Sequence, residues 1–207
     1  TRDNPLLVAS TGDGAIAGRS RDDVAKHGLL YRGYARKRMR WGDRDDEFVR
    51  PVHWAVLLFG DEVIPATIMG VQAGRETRGH RFHHPDPIRL IVPADYARKL
   101  ASEGNVIADF SERRDAIRAQ AEAIAAQLNG IAVIKTELLE EVAALVEWPV
   151  ALAGNFEQRF LDVPAAALIS TMQDNQRYFP VVDAHGRLLP HFIAITNLES
   201  RDPAQVQ

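Results

Sequence analysis

From position 54 to position 59 the chain is apolar at every residue, with His53, Ala55, Leu57 and Phe59 alternating with Trp54, Val56 and Leu58. A strand apolar on both faces is one covered on both faces, so residues 48–59 predict a central strand. Gly60-Asp61-Glu62 supplies a turn, and residues 63–69 return as the second strand of a hairpin. Pro65 has no N–H for a ladder, which places that strand at an edge or at a bulge. Residues 88–92 predict a further strand. Pro93 then opens a helix over 94–102, closed by Gly104. Residues 106–108 predict a short strand.

The middle of the chain changes period. Asp109 or Ser111 caps a helix over about 112–128, in which Ile117, Ala121, Ile124 and Leu128 form one apolar stripe. Glu112, Arg113, Arg114, Asp115 and Arg118 read as its solvated face, and Asn129-Gly130 stops it. Thr136 opens another helix with Leu139, Val142, Leu145 and Val146 inward, ended at Glu147-Trp148-Pro149. Residues 150–153 are strand-like. Pro164 starts a helix with Ala165, Leu168, Ile169 and Met172 inward and an exit at Asp174-Asn175. Residues 177–182 and 189–196 flank Asp183-Ala184-His185-Gly186-Arg187, a turn suited to closing a β-hairpin.

The first 38 residues are less defined: a short strand at Leu6-Leu7-Val8, a Gly-rich loop over 11–18, a helix over 21–27 capped by Ser20, and a strand over 29–35. Strands and helices mix without regular βαβα alternation. The expected fold class is therefore α+β, a mixed, largely antiparallel sheet covered by the helices near 112–128 and 136–146. Residues 39–207 read as one α+β domain, cut at its C-terminal end, behind a poorly defined segment 1–38.

Composition narrows the chemistry. The 207 residues contain no cysteine and carry a formal charge of −3. Thiolate nucleophiles, disulfides and Cys-ligated zinc are excluded, and any nucleic-acid binding must come from a local patch. No apolar run approaches a membrane span, and no signal-peptide pattern opens the chain. One patch comprises Arg36, Lys37, Arg38 and Arg40, with Arg32 and Arg44 beside them and Tyr31, Tyr34 and Trp41 interleaved. Cations with stacking platforms suit RNA contact. Asp43, Asp45, Asp46 and Glu47 follow at once, so a self-neutralised surface is the competing reading.

The second patch is Arg75-Glu-Thr-Arg-Gly-His-Arg-Phe-His-His-Pro-Asp-Pro87, which holds three arginines, three histidines and two prolines in thirteen positions. So charged and broken a segment predicts a polar, turned loop outside the core, held between two strands. Arg50, Arg78, His80 and Arg81 join the RNA-binding candidates, with clamping of the loop onto acidic groups of its own fold as the alternative for Arg78 and Arg81. His80, His83, His84 and Asp86 have metal-ligand residue types but not the spacing of a zinc hydrolase, and no metal site is assigned. Glu147 reads as a helix-end group, and Ser170-Thr171 lacks the frame of a nucleophile elbow. With no triad, P-loop or dinucleotide fingerprint, the residues describe a binding or structural domain and no catalytic site.

Several strings go further: Met39-Arg40-Trp41-Gly42-Asp43, Glu47-Phe48-Val49-Arg50-Pro51-Val52-His53, Thr77-Arg78-Gly79-His80-Arg81-Phe82 and Leu145-Val146-Glu147-Trp148-Pro149-Val150. Ala167-Leu168-Ile169-Ser170-Thr171-Met172, Gln176-Arg177-Tyr178-Phe179-Pro180-Val181 and Leu188-Leu189-Pro190-His191-Phe192 continue the series. In this order they resemble the β subunit of the heterotetrameric bacterial glycyl-tRNA synthetase, from about Met39 onward. Residues 1–38 match poorly, apart from Leu29-Leu30-Tyr31-Arg32, and a helical stretch that members carry before Met39 is lacking. The resemblance implies a cytoplasmic α2β2 ligase joining glycine to its tRNA, with ATP and Mg2+ used through the α subunit. It further implies that this N-terminal-to-central part of β is non-catalytic and cofactor-free. Its partners would be the α subunit, the rest of β, and tRNA. Two alternatives stay open: a purely structural interaction module, or an editing-type hydrolase using His80, His83 and His84.

Overall fold

A computed structural model of the chain describes residues 6–10, 39–43, 45, 47–48 and 51–198. Its contacts divide the chain into two units, Thr1–Val106 and Ile107–Gln207. That division falls inside the stretch read from hydropathy as one domain, where no Pro- or Gly-rich linker marks it. The helix expected over 21–27 and the strand over 29–35 lie outside the described residues.

The first unit contains β1 (Leu6–Ser10), β2 (Met39–Arg40), β3 (Glu47–Phe48), β4 (Ala55–Phe59), β5 (Glu62–Val63), β6 (Thr67–Ile68), β7 (Val71–Gly74), β8 (Glu76–Arg78), β9 (Pro87–Arg89) and helix α1 (Asp95–Ser102). β4 is central as expected, with β1 and β7 parallel to it on either side. Ala55, Val56, Leu57 and Leu58 are all buried, which is why this strand shows no polar alternation. It is shorter than the pattern suggested. Glu47 and Phe48 pair instead with β2, in a separate two-stranded ribbon.

The return strand expected over 63–69 is split in two, and Pro65 lies in the gap. Before it, β5 forms the predicted hairpin with β4, registering Leu58 with Val63, across a turn in which Gly60 takes φ +61°. After it, β6 folds back on β7 through Met69 and Gly70, both at positive φ. A turn with two such residues matches the right-handed twist of a tight hairpin. No strand forms at 106–108. The Val106 N–H donates to Leu100 O, and the Ile107 N–H donates to Glu147 O, so neither enters a ladder.

The second unit contains α2 (Phe110–Gln127), β10 (Ile131–Ala132), α3 (Thr136–Leu145), β11 (Val150–Asn155), α4 (Ala165–Ser170), β12 (Phe179–Val182) and β13 (Leu188–Thr196). Its four strands run in the order β10-β12-β13-β11, every pair antiparallel. Asp109 caps α2, its carboxylate accepting the Glu112 N–H at 2.9 Å. Ile117, Ala121 and Ala125 of α2 meet Leu139, Val142 and Ala143 of α3 over Phe179, Val181 and Ile193 of the sheet. The chain is thus α+β, and here an antiparallel sheet is covered by the two helices expected.

Side chains differ from the stripe reading in three places, one being Ala165 of α4, expected inward but exposed. Leu145, expected inward, is exposed, while Leu138 is buried. Arg113, expected on a solvated face, folds inward instead. Its Nε donates to Ala143 O at 2.7 Å and its Nη1 to Ile107 O at 2.5 Å. Burial lowers its pKa, opposed by the nearby Glu147 and Asp109 carboxylates. The guanidinium supplies the donors that a helix end and a connecting segment lack. Gln120 acts similarly on the sheet margin, donating to Pro149 O and accepting from the Ala151 N–H.

Candidate nucleic-acid interface

The basic stretch 75–87 is organised by a ribbon that its composition did not announce. β8 and β9 pair antiparallel, with Thr77 opposite Ile88 and Arg78 opposite Pro87. The irregular loop is therefore only 79–86. Thr77 and Ile88 are both buried, and Trp54 Nε1 approaches Thr77 Oγ1 at 3.4 Å. Alternation within β8 sends Glu76 and Arg78 outward while Thr77 points in, as the period of two requires.

The root of the loop is pinned to the end of α1. Gly79 lies against Gly104 so closely that a Cβ on Gly79 would sit 2.7 Å from Gly104 Cα and 2.7 Å from its carbonyl oxygen. In this contact the His80 N–H donates to Gly104 O at 2.6 Å. Gly104 O lies just past the C-terminus of α1, where carbonyls lack helical partners. Two glycines twenty-five positions apart thus make one backbone-to-backbone junction, which neither reveals alone.

His80 then organises the loop from inside. It is 2% exposed, so the expectation of a wholly exterior segment, with His80 on an RNA-facing surface, does not hold. Its Nδ1 accepts the Phe82 and His83 N–H groups at 3.3 and 3.4 Å, and its carbonyl accepts the His84 N–H at 2.8 Å. An acceptor at Nδ1 assigns the hydrogen of the neutral ring to Nε2. His83 packs its ring 4.8 Å from that of His80. A buried ring with both loop amides on one nitrogen holds the backbone in one course.

The arginines divide into two kinds. Arg75 is a clamp: it donates to Asp61 O at 2.8 Å and reaches Leu90 O and Ile91 O at 3.4 and 3.5 Å. Arg78 and Arg81 are exposed. Arg78 donates to Pro85 O at 3.3 Å, and Arg81 lies 5.7 Å from the Phe82 ring centroid. Among the described residues neither is in an ion pair, so no lock onto acidic groups is formed there. Phe82 itself is 69% exposed. An exposed cation–π contact contributes only about 0.5–1 kcal/mol, too little to explain an aromatic held in water.

The other candidates separate from this loop. Arg40 on β2 is exposed and paired with Asp45 at 3.2 Å, one pair of the kind the self-neutralised reading expected. Arg36, Lys37, Arg38 and Arg50 lie outside the described residues. Among the described residues no three His, Cys, Asp or Glu side chains gather as a metal site would require. The residue that composition missed is Phe82. Its exposure follows from the turn geometry, which a single apolar letter among charges cannot show.

Comparison with known proteins adds what geometry cannot. A family model described as glycyl-tRNA synthetase beta subunit matches residues 26–207. The chain belongs to the glycyl-tRNA synthetase beta subunit family. The match begins thirteen residues before Met39, so it takes in part of the segment whose strings had matched poorly. A glycine–tRNA ligase beta subunit of Hahella chejuensis is 62% identical over 170 residues, which cover 82% of this chain and 25% of that protein. Beta subunits from Pseudomonas syringae pv. tomato and Azotobacter vinelandii are each 57% identical over the same lengths. The chain therefore spans about a quarter of the length of these relatives. Among the described residues no helix is long and apolar enough to cross a membrane.

Proposed function

We propose that this chain is a non-catalytic part of a glycine–tRNA ligase that contributes to tRNA binding and to subunit architecture. In this reading it acts in the cytoplasm, with the α subunit, the remainder of β and tRNA as partners. ATP and Mg2+ are handled through the α subunit. The observation that carries the RNA role is the pair Arg78 and Arg81, exposed and outside any ion pair among the described residues, Arg78 at the end of β8 and Arg81 on the loop anchored from within. The planar guanidinium fork suits phosphate oxygens, and an anchored loop loses little conformational freedom when it binds.

Two measurements test this. The isolated chain should support neither glycylation of tRNA nor glycine-dependent pyrophosphate exchange; either activity would overturn the non-catalytic reading. In the assembled ligase, Arg78→Ala with Arg81→Ala should weaken tRNA binding and flatten its salt dependence by up to about two units of slope. Unchanged affinity and slope would remove the RNA role from this loop.

A second reading, a structural module, is favoured by Ile131 and Leu145, large apolar side chains exposed on the second unit. Loss of subunit assembly in Leu145→Ser, with tRNA affinity per assembled enzyme retained, would support it.

A further inference from the structure

Resting on the tRNA-binding reading, we propose that Phe82 is a stacking platform for an unpaired base of the bound RNA, with Arg81 and Arg78 placed for the adjoining phosphates. The ring is 69% exposed, and the Arg81 guanidinium lies 5.7 Å from its centroid. A base laid on the ring therefore brings its own backbone towards a cation already in place. The ring is also held without being consumed by the fold. The Phe82 N–H is tied to the buried His80 Nδ1, so the backbone beneath the side chain is set before any partner arrives. The neighbours of Phe82 in the loop are charged, imidazole or proline residues: Arg81, His83, His84, Pro85 and Asp86. A protein–protein anchor sits instead in an apolar patch that excludes water around it. Aromatic faces accept any base, because every base has a π-face, and cations beside them track the strand.

The test uses the assembled ligase, with tRNA titrations at two salt concentrations, subunit assembly by sedimentation, and unfolding midpoints for each variant. Phe82→Ala and Phe82→Leu should both weaken tRNA binding by about tenfold, and Phe82→Trp should retain it. The salt slope should stay unchanged in all three, because stacking releases no counterions. Midpoints should not move, since the side chain is exposed. Normal binding by Phe82→Ala while the Arg78/Arg81 double variant binds weakly with a reduced slope would overturn the platform and leave the tRNA reading standing. Normal binding by both would overturn the two together. Phe82→Leu binding like the parent while Phe82→Ala fails would show an apolar contact rather than stacking. Loss of subunit assembly in Phe82→Ala would show a protein interface. Each of these last two results overturns the proposal.

Discussion

The turn between β12 and β13 and the loop between β8 and β9 are each fixed by one side-chain acceptor, and they are built in opposite ways. In the turn between β12 and β13, Asp183 Oδ1 accepts the His185 and Arg187 N–H groups, both at 2.9 Å, and Oδ2 accepts from the Arg187 guanidinium at 2.7 Å. That acceptor sits at the surface and its partners are within four residues. In the loop between β8 and β9, His80 Nδ1 accepts the Phe82 and His83 N–H groups, but its ring is buried and its root is locked to Gly104, just past the end of α1. A local device closes a hairpin and asks nothing of the fold around it. A device rooted in the core transmits the rigidity of the core to the loop, which is what a binding surface needs.

The contrast can be broken one residue at a time. The largest effect is expected at the glycine junction: Gly79→Ala forces a methyl into the Gly104 backbone, which cannot yield as a side chain tip would. Overpacking of this kind costs about 3 kcal/mol, read as a fall in the unfolding midpoint; an unchanged midpoint would show that the two backbones do not touch. His80→Ala comes next. It leaves two loop N–H groups without their acceptor and empties a buried ring site, at about 2 kcal/mol by denaturant unfolding.

The open turn should give less. Gly186 sits at φ +78° with nothing within 4 Å of where a Cβ would be. Gly186→Val therefore meets backbone strain and no clash, and should cost about 1 kcal/mol. A larger loss would mean that the turn is packed after all. The smallest effect is that of pH on Asp183. The Arg187 N–H above all, opposed by desolvation and helped by the Arg187 side chain and the His185 N–H, holds that carboxyl below the usual carboxylate range. The unfolded chain takes up the proton first, so this stabilisation is complete above the ordinary carboxylate range. It is lost as pH falls through the depressed folded value. Parent and Asp183→Asn melting temperatures should converge as pH is taken from neutral into acid; a constant gap would deny the carboxylate this role.

The same contrast explains what could be read from the sequence. The Asp183 turn was legible, since an acid, a glycine and flanking apolar runs are local signals of a hairpin. So were β4, from its unbroken apolar run, and α2, from its cap and its stripe. Arg113 and His80 were not. Each is a polar residue whose burial depends on groups far away in the chain, Ala143 O for one and Gly104 O for the other. Among letters rich in charge, both read as solvated. The β8–β9 ribbon was hidden for the same reason: its inward residues Thr77 and Ile88 are single positions between exposed ones. Arg78 and Arg81 were legible as candidates, but telling them from the clamp Arg75 in the same basic stretch needed the positions of Asp61 O and Leu90 O.

The central claim is that the loop over 79–86 is held from the inside and offers its outer side chains ready placed. Amide hydrogen exchange at Phe82 and His83 tests it most directly, because both N–H groups end on one buried nitrogen. The account predicts slowed exchange at both amides in the parent chain, and recovery of the rates of an unstructured peptide at both in His80→Ala while the amides of β4 stay protected. Peptide-like exchange at Phe82 and His83 in the parent would contradict it.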